Sequence, residues 1–139
     1  MLYQEIISFE TAKMAKEKGV YFFSDLFYYP DGEIEDVPHC MCNDLDVNPC
    51  SCGSDELRAD YYKYYPAFTQ SSLHGYLRNN HKIYICVYPA SFGFLYEIMK
   101  ENGTTLRLSE YEGDDLDSGA FTSYEKAYEH GLQKALEFI

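Results

Sequence analysis

The chain has 139 residues, and 23 acidic against 11 basic side chains give it a formal charge of −12. A mean field of that sign repels phosphate, which argues against nucleic acid or an anionic membrane as direct partner and for basic partners. Apolar residues make up 46% of the chain, which speaks against disorder, and no apolar run approaches the roughly 20 residues of a membrane span.

The length suits a single domain over residues 1–139, with a cysteine-containing loop or insertion at about 38–60. The start, Met1-Leu2-Tyr3-Gln4-Glu5, has neither the basic region nor the apolar core of a signal peptide. The expectation is an intracellular protein with reduced thiols.

In chain order, Ser8 reads as the N-cap of a helix over residues 9–18 that Gly19 closes. Residues 21–29 form a dense aromatic strand, and Tyr29-Pro30-Asp31-Gly32 is a type I turn signal leading to a short acidic strand over 33–37. Residues 58–65 read as a further tyrosine-rich strand. Thr69 caps a second helix, with Phe68 placed to staple onto Leu73, Leu73, Tyr76 and Leu77 on its buried stripe, and Asn79-Asn80 at its end. Gly75 within it implies close contact with another backbone.

Residues 82–88 alternate, with Ile83, Ile85 and Val87 opposite Tyr84, Cys86 and Tyr88, and Phe94, Tyr96 and Ile98 continue the pattern. Asn102-Gly103 turns the chain into a strand over 104–108. Thr122 and Glu125 form a capping box for a last helix. Its apolar or small residues, from Tyr124 and Ala127 to Leu136 and Ile139, recur with the helical period over four turns. The order α-β-β-(loop)-β-α-β-β-β-α indicates an α+β fold, an antiparallel sheet with helices packed on it.

Two residue clusters invite a chemical reading. His39-Cys40-Met41-Cys42 and Cys50-Ser51-Cys52 place two C-x-C pairs in one polar loop. Cys40, Cys42, Cys50 and Cys52, or three of them with His39, can hold a structural zinc ion tetrahedrally. Reduced thiols or disulfides are the other readings, because C-x-C in an extended chain points its sulfurs to opposite faces. The second cluster is the acidic run Glu110, Glu112, Asp114, Asp115 and Asp117, which lacks the spacing of an EF-hand and reads as a solvated loop or as electrostatic bait for a basic partner. Cys86 is expected in the core, and His74 (on an exposed helix face), His81 and His130 in structural or solvated positions.

No glycine-rich phosphate loop, G-x-S-x-G or H-E-x-x-H occurs. No residue is therefore assigned a catalytic role. The expectation is a non-enzymatic module that binds another protein. The alternatives are a zinc-stapled structural protein and an enzyme whose site is assembled from distant residues.

Several stretches carry a resemblance. They are Thr11-Ala12-Lys13-Met14-Ala15, Thr69-Gln70-Ser71-Ser72-Leu73, Tyr76-Leu77-Arg78, His81-Lys82-Ile83, Ser123-Tyr124-Glu125-Lys126-Ala127 and Leu132-Gln133-Lys134-Ala135-Leu136. Together they resemble a family of small uncharacterised proteins common in phages and prophages of gut Bacteroidota. The likeness covers most of the chain outside residues 37–60. It implies an accessory protein of a mobile element in a bacterial cytoplasm and no established activity, while the acidic charge and loops point to a basic host protein as partner. The order α-β-β-β-α over residues 69–139 is also that of a double-stranded RNA-binding domain. However, the last helix follows an acidic loop where such a domain needs basic charge.

Overall fold

The structure, a computed structural model, describes residues 5–20, 26–36, 64–109 and 111–139. In chain order the elements are α1 (Phe9–Glu17), β1 (Leu26–Tyr28), β2 (Ile34–Asp36), β3 (Tyr65–Pro66), α2 (Gln70–His81), β4 (Ile83–Ala90), β5 (Gly93–Lys100), β6 (Thr105–Leu108) and α3 (Tyr124–Leu136). This is the α+β order read from the sequence. The strands divide into two antiparallel three-stranded sheets, β2-β1-β3 and β4-β5-β6.

α3 organises the molecule. It packs against β4 and β5 and also meets α1 and α2. Its buried residues Ala127, Tyr128, Gly131, Leu132, Ala135 and Leu136 follow the predicted stripe. The cap differs by one residue: the Ser123 hydroxyl, not Thr122, accepts the Lys126 N–H, because Thr122 is engaged elsewhere. Gly131 is where α3 comes closest to the sheet. A Cβ there would stand 3.0 Å from Ile85 Cγ2 and 3.3 Å from Tyr96 Cγ.

Beneath α3, Ile85 opposes Ile98 and Val87 opposes Tyr96, so their side chains share the helix-facing side of the sheet. Tyr96 and Ile98 are wholly buried. The same alternation puts Tyr84, Cys86 and Tyr88 on the other side, and Cys86 is exposed. The expectation of a core cysteine is thus corrected: the described helices cover one face of this sheet, and Cys86 points away from it.

α2 lies against β4 and α3. The Thr69 hydroxyl caps it by accepting the Ser72 N–H at 3.1 Å. The helix runs past Asn79-Asn80 to His81, since Asn80 Nδ2 donates to the Tyr76 carbonyl at 3.0 Å and stays within the coil. Lys82 then takes the left-handed conformation at φ 56°, turning the chain so that Ile83 enters the core. Among the described residues a Cβ on Gly75 would meet only an Arg78 guanidinium nitrogen at 3.6 Å, and no second backbone comes close.

α1 packs on β3 and α3. Its Phe9 ring stands 5.5 Å from Tyr28 and 5.4 Å from Tyr65, and Lys16 Nζ sits 4.7 Å over the Tyr65 ring. The turn after β1 closes as the sequence predicts, Gly32 N–H donating to the Tyr29 carbonyl at 2.9 Å.

Among the described residues no helix is long and apolar enough to cross a membrane.

Candidate interaction site

Residues 111–121 leave the second sheet and return along it to α3. The Phe94 and Phe121 backbones exchange two hydrogen bonds of 2.9 Å, which ties the return limb of the loop to the start of β5. The two limbs touch backbone to backbone. A Cβ on Gly113 would stand 2.0 Å from the Ala120 carbonyl carbon, and one on Gly119 2.5 Å from Tyr111 Cα, so both positions require glycine.

Carboxylates hold the loop in place. Glu112 reaches under it to accept hydrogen bonds from the Tyr96 hydroxyl and the Arg107 guanidinium, while Arg107 Nε also donates to the Tyr96 oxygen at 3.3 Å. Burial by itself would raise the Glu112 carboxyl, but the bonds from Tyr96 and Arg107 outweigh it and hold the group below its usual range. Burial first, and then the bond to Glu112, push the Tyr96 phenol far above its ordinary value. His130 Nε2 lies 3.4 Å from Glu112 Oε2, buried and without a hydrogen-bond partner among the described residues. Burial lowers its pKa, with Lys134 and Arg107 adding to the effect against the pull of Glu112.

Asp114 clamps the other limb to α3. It accepts the Thr122 N–H at 2.9 Å and the Thr122 hydroxyl at 2.6 Å, and Lys126 Nζ lies 3.2 Å away. The bonds from Thr122 hold this carboxyl well below the usual carboxylate range. This engagement explains why Thr122 does not cap α3. Asp115 Oδ1 accepts the N–H groups of Asp117 and Ser118 at 2.9 and 3.2 Å, closing a local turn.

With its carboxylates so arranged, the loop shows apolar side chains to solvent. Leu116 is 100% exposed, Tyr111 84%, and Phe92, in the adjoining β4–β5 turn, 73%. Tyr111 holds φ at 57°, a conformation that costs a non-glycine residue roughly 1–2 kcal/mol. The Glu112 anchor next to it and the Gly119 contact fix it in that conformation.

Of the residues singled out from the sequence, Glu112, Asp114, Asp115 and Asp117 come together in this loop. The first two are committed to internal bonds, and Asp117 is exposed. Glu110, His39, Cys40, Cys42, Cys50 and Cys52 lie outside the described residues. Among the described residues no group of three or more His, Cys, Asp or Glu is placed to hold a metal ion.

Two polar centres had no warning in the sequence reading. His74, expected on an exposed face, is buried between α2, α3 and β4. Its Nε2 accepts the Ile85 N–H at 3.0 Å, so the neutral ring carries its proton on Nδ1 and donates to the Tyr128 hydroxyl at 2.5 Å. Burial, and then the Arg78 charge, lower its pKa to about 4. The second centre is Glu129 on α3, which accepts from the Ser8 N–H at 2.5 Å, the Thr11 hydroxyl at 2.6 Å and Gln70 Nε2 at 2.9 Å. A carboxylate at the N-terminus of α1 also meets the favourable end of the helix dipole. Both centres spend their hydrogen-bonding capacity on the fold.

Comparison of the chain with protein-family models, with curated proteins and with solved structures gave no match.

Proposed function

We propose that the chain is a non-enzymatic protein-binding module, an accessory protein of the phage or prophage type that its sequence resembles, acting inside the bacterial cell. It engages its partner through the end of the molecule formed by residues 111–121 and the β4–β5 turn. The observation that carries this reading is the display of Leu116, Tyr111 and Phe92 from two loops that meet at the Phe94–Phe121 bridge. Large apolar side chains left exposed are free energy reserved for contact, roughly 1.5–3 kcal/mol for each one fully buried. The internal use of His74, Glu112 and Glu129 supports the same reading, because each spends its hydrogen bonds on holding the fold.

The test is a photo-activated cross-linking amino acid at position 116, with position 79 on the far side of α2 as control, in the cell that naturally makes the protein. The expected result is a discrete adduct of higher mass from position 116 that is missing from position 79. Equal labelling at both positions, or none at 116, overturns the proposal.

A further inference from the structure

The charge around the exposed apolar residues specifies what they meet. Between Arg107 and Lys126 the sequence contains no basic residue, while it contains Glu110, Glu112, Asp114, Asp115, Asp117 and Glu125. Both flanking cations are paired within the chain: Arg107 is part-buried against Glu112 and Tyr96, and Lys126 is bound at the surface to Asp114 and Thr122. Each faces a carboxylate of the loop. Asp114 and Asp117, on either side of Leu116 in the chain, and Glu125, in the first turn of α3, are exposed.

On the reading above, that this end binds protein, we infer that the partner segment is basic and amphipathic, an aliphatic or aromatic anchor flanked by Lys or Arg. The division of labour follows from physical chemistry. The anchor covers Leu116 and Phe92 and supplies most of the affinity. The flanking cations face a surface whose own cations are already paired, which speeds encounter and rejects acidic segments by like-charge repulsion. A second copy of the chain is a poor occupant, since it would bring the same carboxylates against themselves.

Three synthetic peptides test this: a Leu-Phe core with Lys/Arg flanks, the same core with Glu flanks, and Lys/Arg flanks around a Ser core. Each is titrated into the isotope-labelled protein and followed by backbone amide shifts. The basic–apolar peptide should give saturable shifts centred on Phe92 and Leu116–Phe121, weakening severalfold between low and physiological ionic strength. Both other peptides should bind at least tenfold more weakly. Leu116→Ser and Phe92→Ser alter exposed side chains and leave the core intact, and each should weaken the basic–apolar peptide by about tenfold. Tyr111→Asn, which tolerates a positive φ, should do the same.

Equal response to basic and acidic flanks, equal response to the Ser core, or shifts centred elsewhere overturn the inference. So does self-association at this face, seen as a sedimentation increase that Leu116→Ser removes. A position-116 adduct formed with a partner lacking such a segment overturns the partner chemistry and leaves the protein-binding reading standing. Absence of any adduct overturns both.

Discussion

Glu129 shows how one side chain joins distant parts of this chain. Three donors from α1, its cap and α2 converge on its carboxylate, and Gln133 Nε2 completes the set by donating to the Thr11 oxygen at 3.0 Å. Thr11 is wholly buried, so its hydroxyl has no recourse to water. Glu129→Ala strands these donors and should destabilise the protein by about 2–4 kcal/mol in urea unfolding. Glu129→Gln keeps an acceptor and should cost less than half of that. A fall of under about 0.5 kcal/mol for Glu129→Ala would show that the network contributes nothing to stability. Nothing in the local sequence announces this role. Glu129 borders the apolar stripe of α3, and its partners lie 59 to 121 residues away. His74 is different, because Gln70, Leu73, His74 and Leu77 do follow the helical period and are all buried. There the spacing was informative, and the polar character of the residue concealed it.

At the scale of elements, the two glycines inside helices make opposite predictions. Among the described residues a Cβ on Gly75 meets only the mobile end of Arg78 at van der Waals distance, so Gly75→Ala should stabilise the protein by up to about 1 kcal/mol through helix propensity. Gly131 lies against Ile85 and Tyr96, and Tyr96 is held from its far end by Glu112 and Arg107. Neither neighbour is free to retreat, so overpacking of about 1–3 kcal/mol should exceed the propensity gain and Gly131→Ala should lower Tm. Thermal unfolding of the two variants reads both signs, and a stabilised Gly131→Ala would show that α3 rides higher over the sheet than described.

The period-3.6 stripe of α3 and the period-2 alternation of β4 and β5 made these elements readable in advance, because a buried face leaves its spacing in the sequence. The loop was readable only as charge. Which carboxylates turn inward depends on Tyr96, Arg107 and Thr122, contacts across elements that no local pattern encodes. That Leu116 and Tyr111 face water depends in turn on those anchors.

For the whole molecule, the buried histidine gives stability a definite dependence on pH. His74 titrates at about 4 in the fold and near 6.5 when unfolded. Below 6.5 the unfolded chain takes up a proton that the folded ring refuses, so stability falls as pH drops from about 6.5 to about 4 and this contribution then levels off. The full effect is up to roughly 3 kcal/mol. Burial lowers His130 in the same direction, and the depressed carboxyl of Glu112 adds stability that is lost at still lower pH. The difference between the wild type and His74→Gln isolates His74, since glutamine can still accept from the Ile85 N–H but does not titrate. Denaturant midpoints across this range should show a shallower acid limb for the variant, and parallel limbs would remove His74 as the cause.

The same protonation bears on the rim of β4. Ile85 N–H, turned away from β5, is occupied by His74, and Pro89 further along offers no N–H at all. That edge is poorly suited to accept another strand.

The clamping of residues 111–121 at Glu112, at Asp114 and at the Phe94–Phe121 bridge has one more consequence, for the thermodynamics of encounter. On the protein-binding reading, this end of the molecule is ordered by the fold itself, ahead of any partner. Association should therefore carry a heat-capacity change matched to the apolar area covered, with no added contribution from coupled folding, and the free and bound loops should superimpose.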